Sequence, residues 1–145
     1  MALYYNLAVY KSSYKLVKKL FTETENFSRQ YKYTTGQQMK NEAMILIKNI
    51  YRANKELDKV PYIQKARENL EMIRLQVRLT QDFDQLRLEV FVEINLIIED
   101  ISKQLANWEK FSRKKPRERP PMTGIEIAER LLTVAGKTRE MVSPP

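Results

Sequence analysis

The group of residues that most resembles a nucleotide-binding motif is Gly136, Lys137 and Thr138, near the C-terminus of this 145-residue chain. These three residues match the end of a phosphate-binding P-loop. That loop also needs a glycine five residues before Gly136, where Leu131 stands, and no predicted strand precedes it. We therefore do not expect nucleotide binding at this position.

Two pairs of carboxylates are the other candidates for acid–base chemistry. Glu89 with Glu93, and Glu99 with Asp100, fall on the polar side of a predicted helix, where nothing nearby supplies a contrast in pKa. We interpret them as solvated charges or subunit contacts. The chain has no histidine and no cysteine, which excludes the usual general base, thiolate metal sites and disulfides. The sequence indicates a non-catalytic protein without a cofactor, and its lack of cysteine fits a reducing cytoplasm.

The remaining chemistry is electrostatic, because the formal net charge is +8. Such a charge suits a nucleic acid or another polyanionic partner. Basic residues outside the apolar seams are candidates for phosphate contacts, which position a nucleic acid without reading its sequence. They are Lys11, Lys15, Lys18, Lys19, Arg29, Lys32, Lys48, Arg52, Lys55, Arg67, Arg74 and Arg78. A solvated surface, or favourable interaction with helix dipoles, is the alternative interpretation of these cations.

Two long apolar seams are expected to position these charges. Apolar residues recur at spacings of three and four, which places each set along one side of an α-helix. The seams are Ile63, Ala66, Leu70, Ile73, Val77 and Thr80, and then Phe91, Ile94, Ile98, Ile101, Leu105 and Trp108. A short polar link around residues 81–85 joins them, so they predict an antiparallel helical hairpin with a shallow left-handed crossing.

Two earlier helices complete the predicted bundle. The first runs from Leu7 to about Glu25, and its apolar side is formed by Leu7, Tyr10, Tyr14, Val17 and Phe21 and widened by Val9, Leu16 and Leu20. The second opens with a capping box of Thr35 and Gln38, ends near Asn54, and buries Met39, Ala43, Leu46, Ile47 and Ile50. The connection between them is rich in aromatic and basic residues, which either cap the core or stack on bases, and we favour the structural role. Residues 1–110 therefore predict an all-α, up-down-up-down antiparallel four-helix bundle.

The two ends of the chain have a different character. Residues 1–6 are interpreted as a loose or subunit-facing arm, and the N-terminal residues lack the pattern of a secretory signal. Residues 111–145 begin as a basic, proline-containing linker. A second capping box of Thr123 and Glu126 then predicts a short amphipathic helix that Gly136 stops, or else a disordered tail. No apolar run is long enough to cross a membrane.

Several segments of the chain resemble a known family. They are residues 31–36 (YKYTTG), Glu42, residues 50–54 (IYRAN), residues 61–67 (PYIQKAR) and residues 101–110 (ISKQLANWEK). Together they resemble the accessory variability determinant (Avd) family of diversity-generating retroelements. That family belongs with the four-helix-bundle proteins encoded by ribosomal RNA intervening sequences. The likeness spans about residues 7–110.

The resemblance implies a basic homopentamer of four-helix bundles that has no active site and takes no small-molecule substrate. It also implies binding to a reverse transcriptase and to structured RNA, possibly DNA, in support of mutagenic retrohoming in the cytoplasm. Met72, Leu75 and Leu79 lie off the main seam and would bury against a neighbouring subunit. The alternative is a structural, self-assembling bundle of the intervening-sequence type with no nucleic-acid role.

Overall fold

The structure is a computed structural model, and we describe its residues 7–114. They form four long α-helices and one helical turn, with no strand among them. The elements are α1 (Ala8–Thr24), the single turn α2 (Arg29–Lys32), α3 (Thr35–Lys55), α4 (Val60–Asp82) and α5 (Leu88–Lys114). The all-α prediction is confirmed. The N-terminal arm and the helix predicted after Thr123 lie outside the described residues.

The four long helices close into a bundle in which each contacts two neighbours. α1 packs against α3 and α5, and α4 packs against the same two helices. The contacts of Ser12 with Asp100 and of Lys19 with Glu93 show that α1 and α5 run antiparallel. Short links make the other neighbours antiparallel as well, so the up-down-up-down arrangement is confirmed.

The core follows the two predicted seams of α4 and α5 closely. All six α4 seam residues are buried, and Ile94, Ile98, Ile101 and Leu105 on α5 are fully buried. Phe91 and Trp108 at the ends of the α5 seam are partly buried against this core. Burying each large apolar side chain is worth roughly 1.5–3 kcal/mol. Each long helix achieves this burial by packing against its two neighbours.

The predicted apolar side of α1 is wrong at two aromatic residues, whereas its members Val9, Leu16 and Leu20 are buried. Tyr14 is 48% exposed and Phe21 is 43% exposed. The buried side of α1 is turned away from these rings and consists of Val9, Ser13, Leu16, Leu20 and Thr24. Their spacing suggested burial, but the small Ser13 and Thr24 side chains occupy positions inside the bundle while the two rings lie at its surface.

The capping box predicted at Thr35 and Gln38 is also wrong. Thr34 is the N-cap residue of α3, and no side chain caps the helix there. The Thr34 hydroxyl instead donates to the carbonyl of Gln30, 2.6 Å away, because the α2 turn comes directly before it. Thr34 thereby joins α2 to the start of α3.

A close approach explains the glycine at the start of α3. Gly36 is buried, and a Cβ at this position would lie 3.0 Å from the Tyr31 carbonyl oxygen and 3.2 Å from the Phe27 ring. A larger residue would push α3 away from the connection that precedes it. Phe27 is itself buried in the core, which supports the structural role favoured for this connection.

Two loops are joined at one end of the bundle. The backbone amide and the hydroxyl of Ser28 both donate to the side-chain oxygen of Gln85, at 2.7 and 3.0 Å. The rings of Tyr31 and Phe83 stack beside this contact, with their centroids 5.0 Å apart. The α1–α3 connection and the α4–α5 loop are therefore held together.

A lysine caps α3 at the opposite end. The Lys59 ammonium donates to the carbonyl oxygens of Ala53, Asn54 and Glu56, each 3.0 Å away. These acceptors are among the carbonyls that a helix C-terminus leaves without partners inside the helix. Burial lowers the pKa of Lys59, and the nearby Glu56 carboxylate opposes that shift.

α5 continues four residues beyond the start of the predicted linker, so the expectation of extended chain from residue 111 is wrong as far as Lys114. Arg113 donates to the Glu109 carboxylate at 2.8 Å, one turn away on the same helix. Glu109 is buried and also accepts from Arg67 at 2.7 Å and from Gln64 at 3.3 Å. These bonds lead α5 past Lys110 and fasten its last turns to α4.

Candidate nucleic-acid interface

The outward sides of α1 and α3 form one strongly basic surface, which we call the basic face. Its cationic residues are Lys11, Lys15, Lys18, Lys40, Lys48, Arg52 and Lys55. They lie opposite the buried sides of the two helices, and all but the partly buried Lys40 are exposed. Because α1 and α3 are in contact, the two rows of cations are neighbours.

The two acidic residues of these helices point away from the basic face. Glu23 pairs with Lys19 on the side of α1 that meets α5. Glu42 accepts a hydrogen bond from Asn69 at 2.7 Å on the side of α3 that meets α4. α1 and α3 together hold eight basic and two acidic residues, a net charge of +6. The basic face therefore has no carboxylate of its own helices to neutralise it.

Aromatic rings alternate with the cations on this surface. The Lys18 ammonium lies 5.0 Å from the centroid of the Tyr14 ring, and the Lys55 ammonium lies 5.6 Å from that of Tyr51. The Lys40 ammonium lies 5.2 Å from the ring of Phe21, across the boundary between α3 and α1. Exposed rings beside cations provide both stacking surfaces and phosphate partners for nucleotides.

The predicted phosphate-binding residues of α1 and α3 fall into two groups. Six of them are exposed and make no ion pair with any residue that the structure describes, namely Lys11, Lys15, Lys18, Lys48, Arg52 and Lys55. Lys19 differs, because its ammonium lies 3.0 Å from the Glu93 carboxylate and 3.5 Å from that of Glu23. The hydrogen bond with Glu93 raises the pKa of Lys19, against an opposing effect of burial.

Arg29 and Lys32 lie on α2, at the end of the bundle where the two loops join. Arg29 is exposed. Lys32 pairs with Glu25 at 3.4 Å and lies 5.9 Å from the centroid of the Tyr33 ring. The structure thus places these two residues at one end of the bundle, with Lys32 partly neutralised by Glu25.

The three predicted arginines of α4 lie apart from the basic face, and each is paired with a carboxylate. Arg67 bonds the buried Glu109 at 2.7 Å, and this hydrogen bond is the main cause of the lowered pKa of Glu109. Arg74 lies 3.3 Å from Glu71 and 3.4 Å from Glu99, and Arg78 lies 3.8 Å from Asp82. α4 and α5 hold eight basic and eight acidic residues, so their half is electrically neutral.

Sequence reasoning missed four members of this surface: Lys40, Tyr14, Phe21 and Tyr51. Tyr14 and Phe21 were assigned to the core, and Lys40 was left out. The lack of acidic residues on one side of each helix is a signal that helical periodicity alone can reveal. The proximity of Lys40 and Phe21 cannot be found from periodicity, because it depends on how α1 packs against α3.

The described residues were also searched for two other kinds of site. Residues 7–114 bring together no cluster of acidic side chains suited to a metal ion. None of the five helices in this range combines the length and apolar character that a membrane span requires.

Comparison with known proteins places the described part of the chain in one family. A family model described as bAvd-like matches residues 7–112. This range contains all five helices except the last two residues of α5. No curated protein matches the chain.

Proposed function

This chain belongs to the bAvd-like family, and we propose that it is a non-catalytic accessory subunit of a diversity-generating retroelement. In this role a homopentamer of the chain binds the reverse transcriptase and the structured template RNA in the cytoplasm. It thereby supports the mutagenic cDNA synthesis that diversifies a target gene. The family match supports the accessory role, and the basic face supports the RNA contact.

The observation that carries the RNA contact is the concentration of cations on a surface to which α1 and α3 themselves contribute no carboxylate. Lysine and arginine bind nucleic acid mainly by neutralising phosphates and releasing counterions, and this attraction weakens steeply as salt rises. A cation already paired with a carboxylate contributes less, because the pair must first open. The unpaired Lys11, Lys15 and Lys48 are therefore better phosphate ligands than Arg67 or Arg74.

The dimensions of the basic face suit a nucleic-acid backbone. Lys40 and Lys55 are fifteen positions apart on α3, which corresponds to about 22 Å along a helix axis. Phosphates along one strand of a duplex are separated by about 3.4 Å of axial rise, so several successive phosphates fit beside this row. The exposed Tyr14 and Phe21 rings lie at its edge and suit unpaired bases in loops of a folded RNA.

Charge reversal of matched residues tests this proposal. One variant carries K11E, K15E and K48E on the basic face. The control carries K65E, K103E and K110E, three exposed lysines of α4 and α5, and has the same net charge. Affinity for a structured RNA is measured by filter binding at several salt concentrations, and circular dichroism checks that both variants are folded.

We expect the basic-face variant to lose about 100-fold in affinity, since three phosphate contacts become repulsive, while the control loses about threefold or less. Equal losses in both variants would overturn the assignment of the basic face. If the unaltered chain itself binds no RNA at low salt, the competing role of a structural, self-assembling bundle is favoured instead.

Binding to the reverse transcriptase is tested separately by co-purification of the two proteins with and without ribonuclease. We expect a complex that survives ribonuclease and that the control variant also forms. Failure to recover any complex would contradict the accessory role, whatever the result of the RNA experiment.

A further inference from the structure

Three aromatic rings of the basic face each lie beside a lysine ammonium, and we call these contacts the ring–lysine pairs. The ammonium nitrogens lie 5.0, 5.2 and 5.6 Å from the ring centroids in the pairs Tyr14 with Lys18, Phe21 with Lys40, and Tyr51 with Lys55. Each ring is at least 41% exposed. A phosphate needs only the ammonium as its partner, so phosphate neutralisation by itself leaves the exposed rings unexplained.

We propose that the ring–lysine pairs make the basic face selective for unpaired nucleotides over duplex, an inference that rests on the RNA contact proposed above. In each pair the ring stacks on a base, and the lysine neutralises a phosphate of the same strand. A base inside a duplex is stacked between its neighbours, so a duplex offers these pairs only its phosphates. An unpaired base exposes the face on which a ring stacks.

The three rings form a row along the boundary between α1 and α3. The Lys40 ammonium reaches Phe21 across this boundary, which puts the two residues at the same height in the antiparallel helices. Tyr14 lies seven residues from Phe21 on α1, which is about 10 Å along the helix axis. Tyr51 lies eleven residues from Lys40 on α3, which is about 16 Å in the same direction because the helices are antiparallel.

The spacing of this row does not match a continuous stack of bases. Successive nucleotides of a duplex are separated by about 3.4 Å of axial rise. The closest two rings of the row, Tyr14 and Tyr51, are about 6 Å apart along the axis. A single strand whose bases are splayed apart places one base on each ring and leaves the intervening nucleotides free. Met44, 51% exposed and one turn beyond Lys40, adds apolar surface to the row.

Tyr14 shows most clearly how a base would be received. Its ring stacks on that of Tyr10, one turn earlier, with the centroids 6.1 Å apart, and Lys18 contacts it from one turn later. Tyr10 therefore supports the ring from one direction. A base that stacks on Tyr14 takes the place of the Lys18 ammonium.

Each lysine can exchange its ring for a phosphate. An ammonium on an exposed ring gains a weak attraction, and a base stacked on the same ring gains more. Because lysine has a flexible stem and a compact charge, the displaced ammonium can turn to a nearby phosphate. Lys18, Lys40 and Lys55 form no ion pair with any residue from 7 to 114, so no carboxylate there opposes the exchange.

Probes with and without accessible bases test this selectivity in the full-length chain. One probe is an RNA of about twelve nucleotides without self-complementarity, a length within the site sizes of single-strand binders. The second is an abasic strand with the same number of phosphates, and the third is the RNA duplexed with its complement. Fluorescence anisotropy at low salt measures the affinity of each probe for the unaltered chain and for its variants.

The variants change rings and leave every charge in place. Y14A/F21A removes two rings of the row, and Y14F/F21Y retains both. Y33A is the matched control, because the Tyr33 ring is 66% exposed and lies 5.9 Å from the Lys32 ammonium but is on α2, outside the row. Circular dichroism checks that all three variants are folded.

We expect Y14A/F21A to bind the unpaired RNA about 100-fold more weakly, since the loss is about tenfold for each ring. Its affinity for the abasic strand and for the duplex should fall by less than about threefold, because the phosphate contacts remain. Y14F/F21Y should bind all three probes as the unaltered chain does. Y33A should lower affinity for the unpaired RNA by less than about threefold.

The outcomes separate this proposal from the RNA contact on which it rests. If Y14A/F21A binds every probe as well as the unaltered chain does, ring stacking is refuted while salt-dependent RNA binding stands. Equal losses with all three probes would also overturn the proposal, because the rings would then only position the lysines. An equal loss in Y33A would refute the row as the site of selectivity. If the unaltered chain binds no probe at low salt, both the RNA contact and the selectivity are wrong.

Discussion

The α1–α3 half and the α4–α5 half of the bundle carry the same number of basic residues and yet have opposite surface chemistry. Each half has eight lysines and arginines, but the first has two acidic residues and the second has eight. The electrostatic character of each surface is therefore set by the placement of its carboxylates. The number of basic residues alone would have marked both halves as equally good partners for RNA.

Several carboxylates of the second half form contacts between helices. Glu109 and Glu99 on α5 bind Arg67 and Arg74 on α4, so these ion pairs join neighbouring helices and remove free charge at the same time. Lys19 does the same between α1 and α5. The other cations of α1 and α3 have no such role and stay available to a partner.

The largest expected effect tests whether the two halves share one core despite their different surfaces. Leu46 on α3 and Ile98 on α5 are both fully buried, so L46A and I98A should each lower the free energy of unfolding by about 2–5 kcal/mol. Chemical denaturation followed by circular dichroism measures both. The exposed control K48A should change it by less than about 0.5 kcal/mol. A biphasic transition would show that the halves unfold separately.

A smaller effect on stability is expected from the ion pairs of Glu109, near the C-terminus of α5. E109Q removes a buried charge that Arg67 and Arg113 both bind, and it should destabilise the protein by about 1–3 kcal/mol at neutral pH. The folded state lowers the pKa of Glu109 below its ordinary value of 4.5. Its stabilising contribution is therefore present above about pH 4.5 and is lost as pH falls through the lowered folded-state pKa.

The measurement is the stability difference between the unaltered protein and E109Q as a function of pH. That difference should shrink in acid. E89Q is the control, because Glu89 and its partner Arg87 are both exposed and contribute little. A constant difference from pH 7 down to strongly acidic conditions would contradict the assigned ion pair.

Substitutions of single lysines test whether the two halves contribute differently to RNA binding. K15A on the basic face should reduce the slope of log affinity against log salt by about one, since one phosphate contact is removed. K110A on α5 should leave the slope unchanged, although it removes the same charge. Titrations across a range of salt concentrations measure both slopes. Equal reductions would show that net charge, and not position, governs binding.

The smallest expected effect is a change in RNA affinity when one carboxylate is removed from the neutral α4–α5 half. E99Q removes one of the two carboxylates that bind Arg74 and should raise affinity for RNA by about twofold at low salt, because a partly screened surface pair is weak. The gain should vanish at high salt. A tenfold gain would mean that α4 is a principal RNA contact and would remove the distinction between the two halves.

The fold was largely predictable because the α4 and α5 seams repeat without interruption. Every seam residue from Ile63 to Thr80 is buried as predicted. α1 was harder, since two sets of apolar residues lie on adjacent sides of the helix and periodicity does not say which set is inside. Tyr14 was placed inside by its spacing from Tyr10 and Val17, whereas Ser13 is the buried neighbour. Only the packing of the other helices decides between them.

The candidate site was predictable to a lesser extent. Its lysines are visible in the sequence, but their partners are distant along the chain. Arg67 meets Glu109 from 42 positions away, and Lys19 meets Glu93 from 74 positions away. Ranking a cation as free or paired therefore requires knowledge of which helices are neighbours.

The contact between Ser28 and Gln85 also has a mechanical consequence. It closes the end of the bundle away from Ala8 and Lys114, which lie together at the other end because α1 and α5 run antiparallel. Tension applied between these two positions would separate α1 from α5 turn by turn, as in the opening of a zipper. The hydrogen bonds between Ser28 and Gln85 would be the last to break. The bundle would therefore unfold at low force and would refold from the end that these bonds hold together.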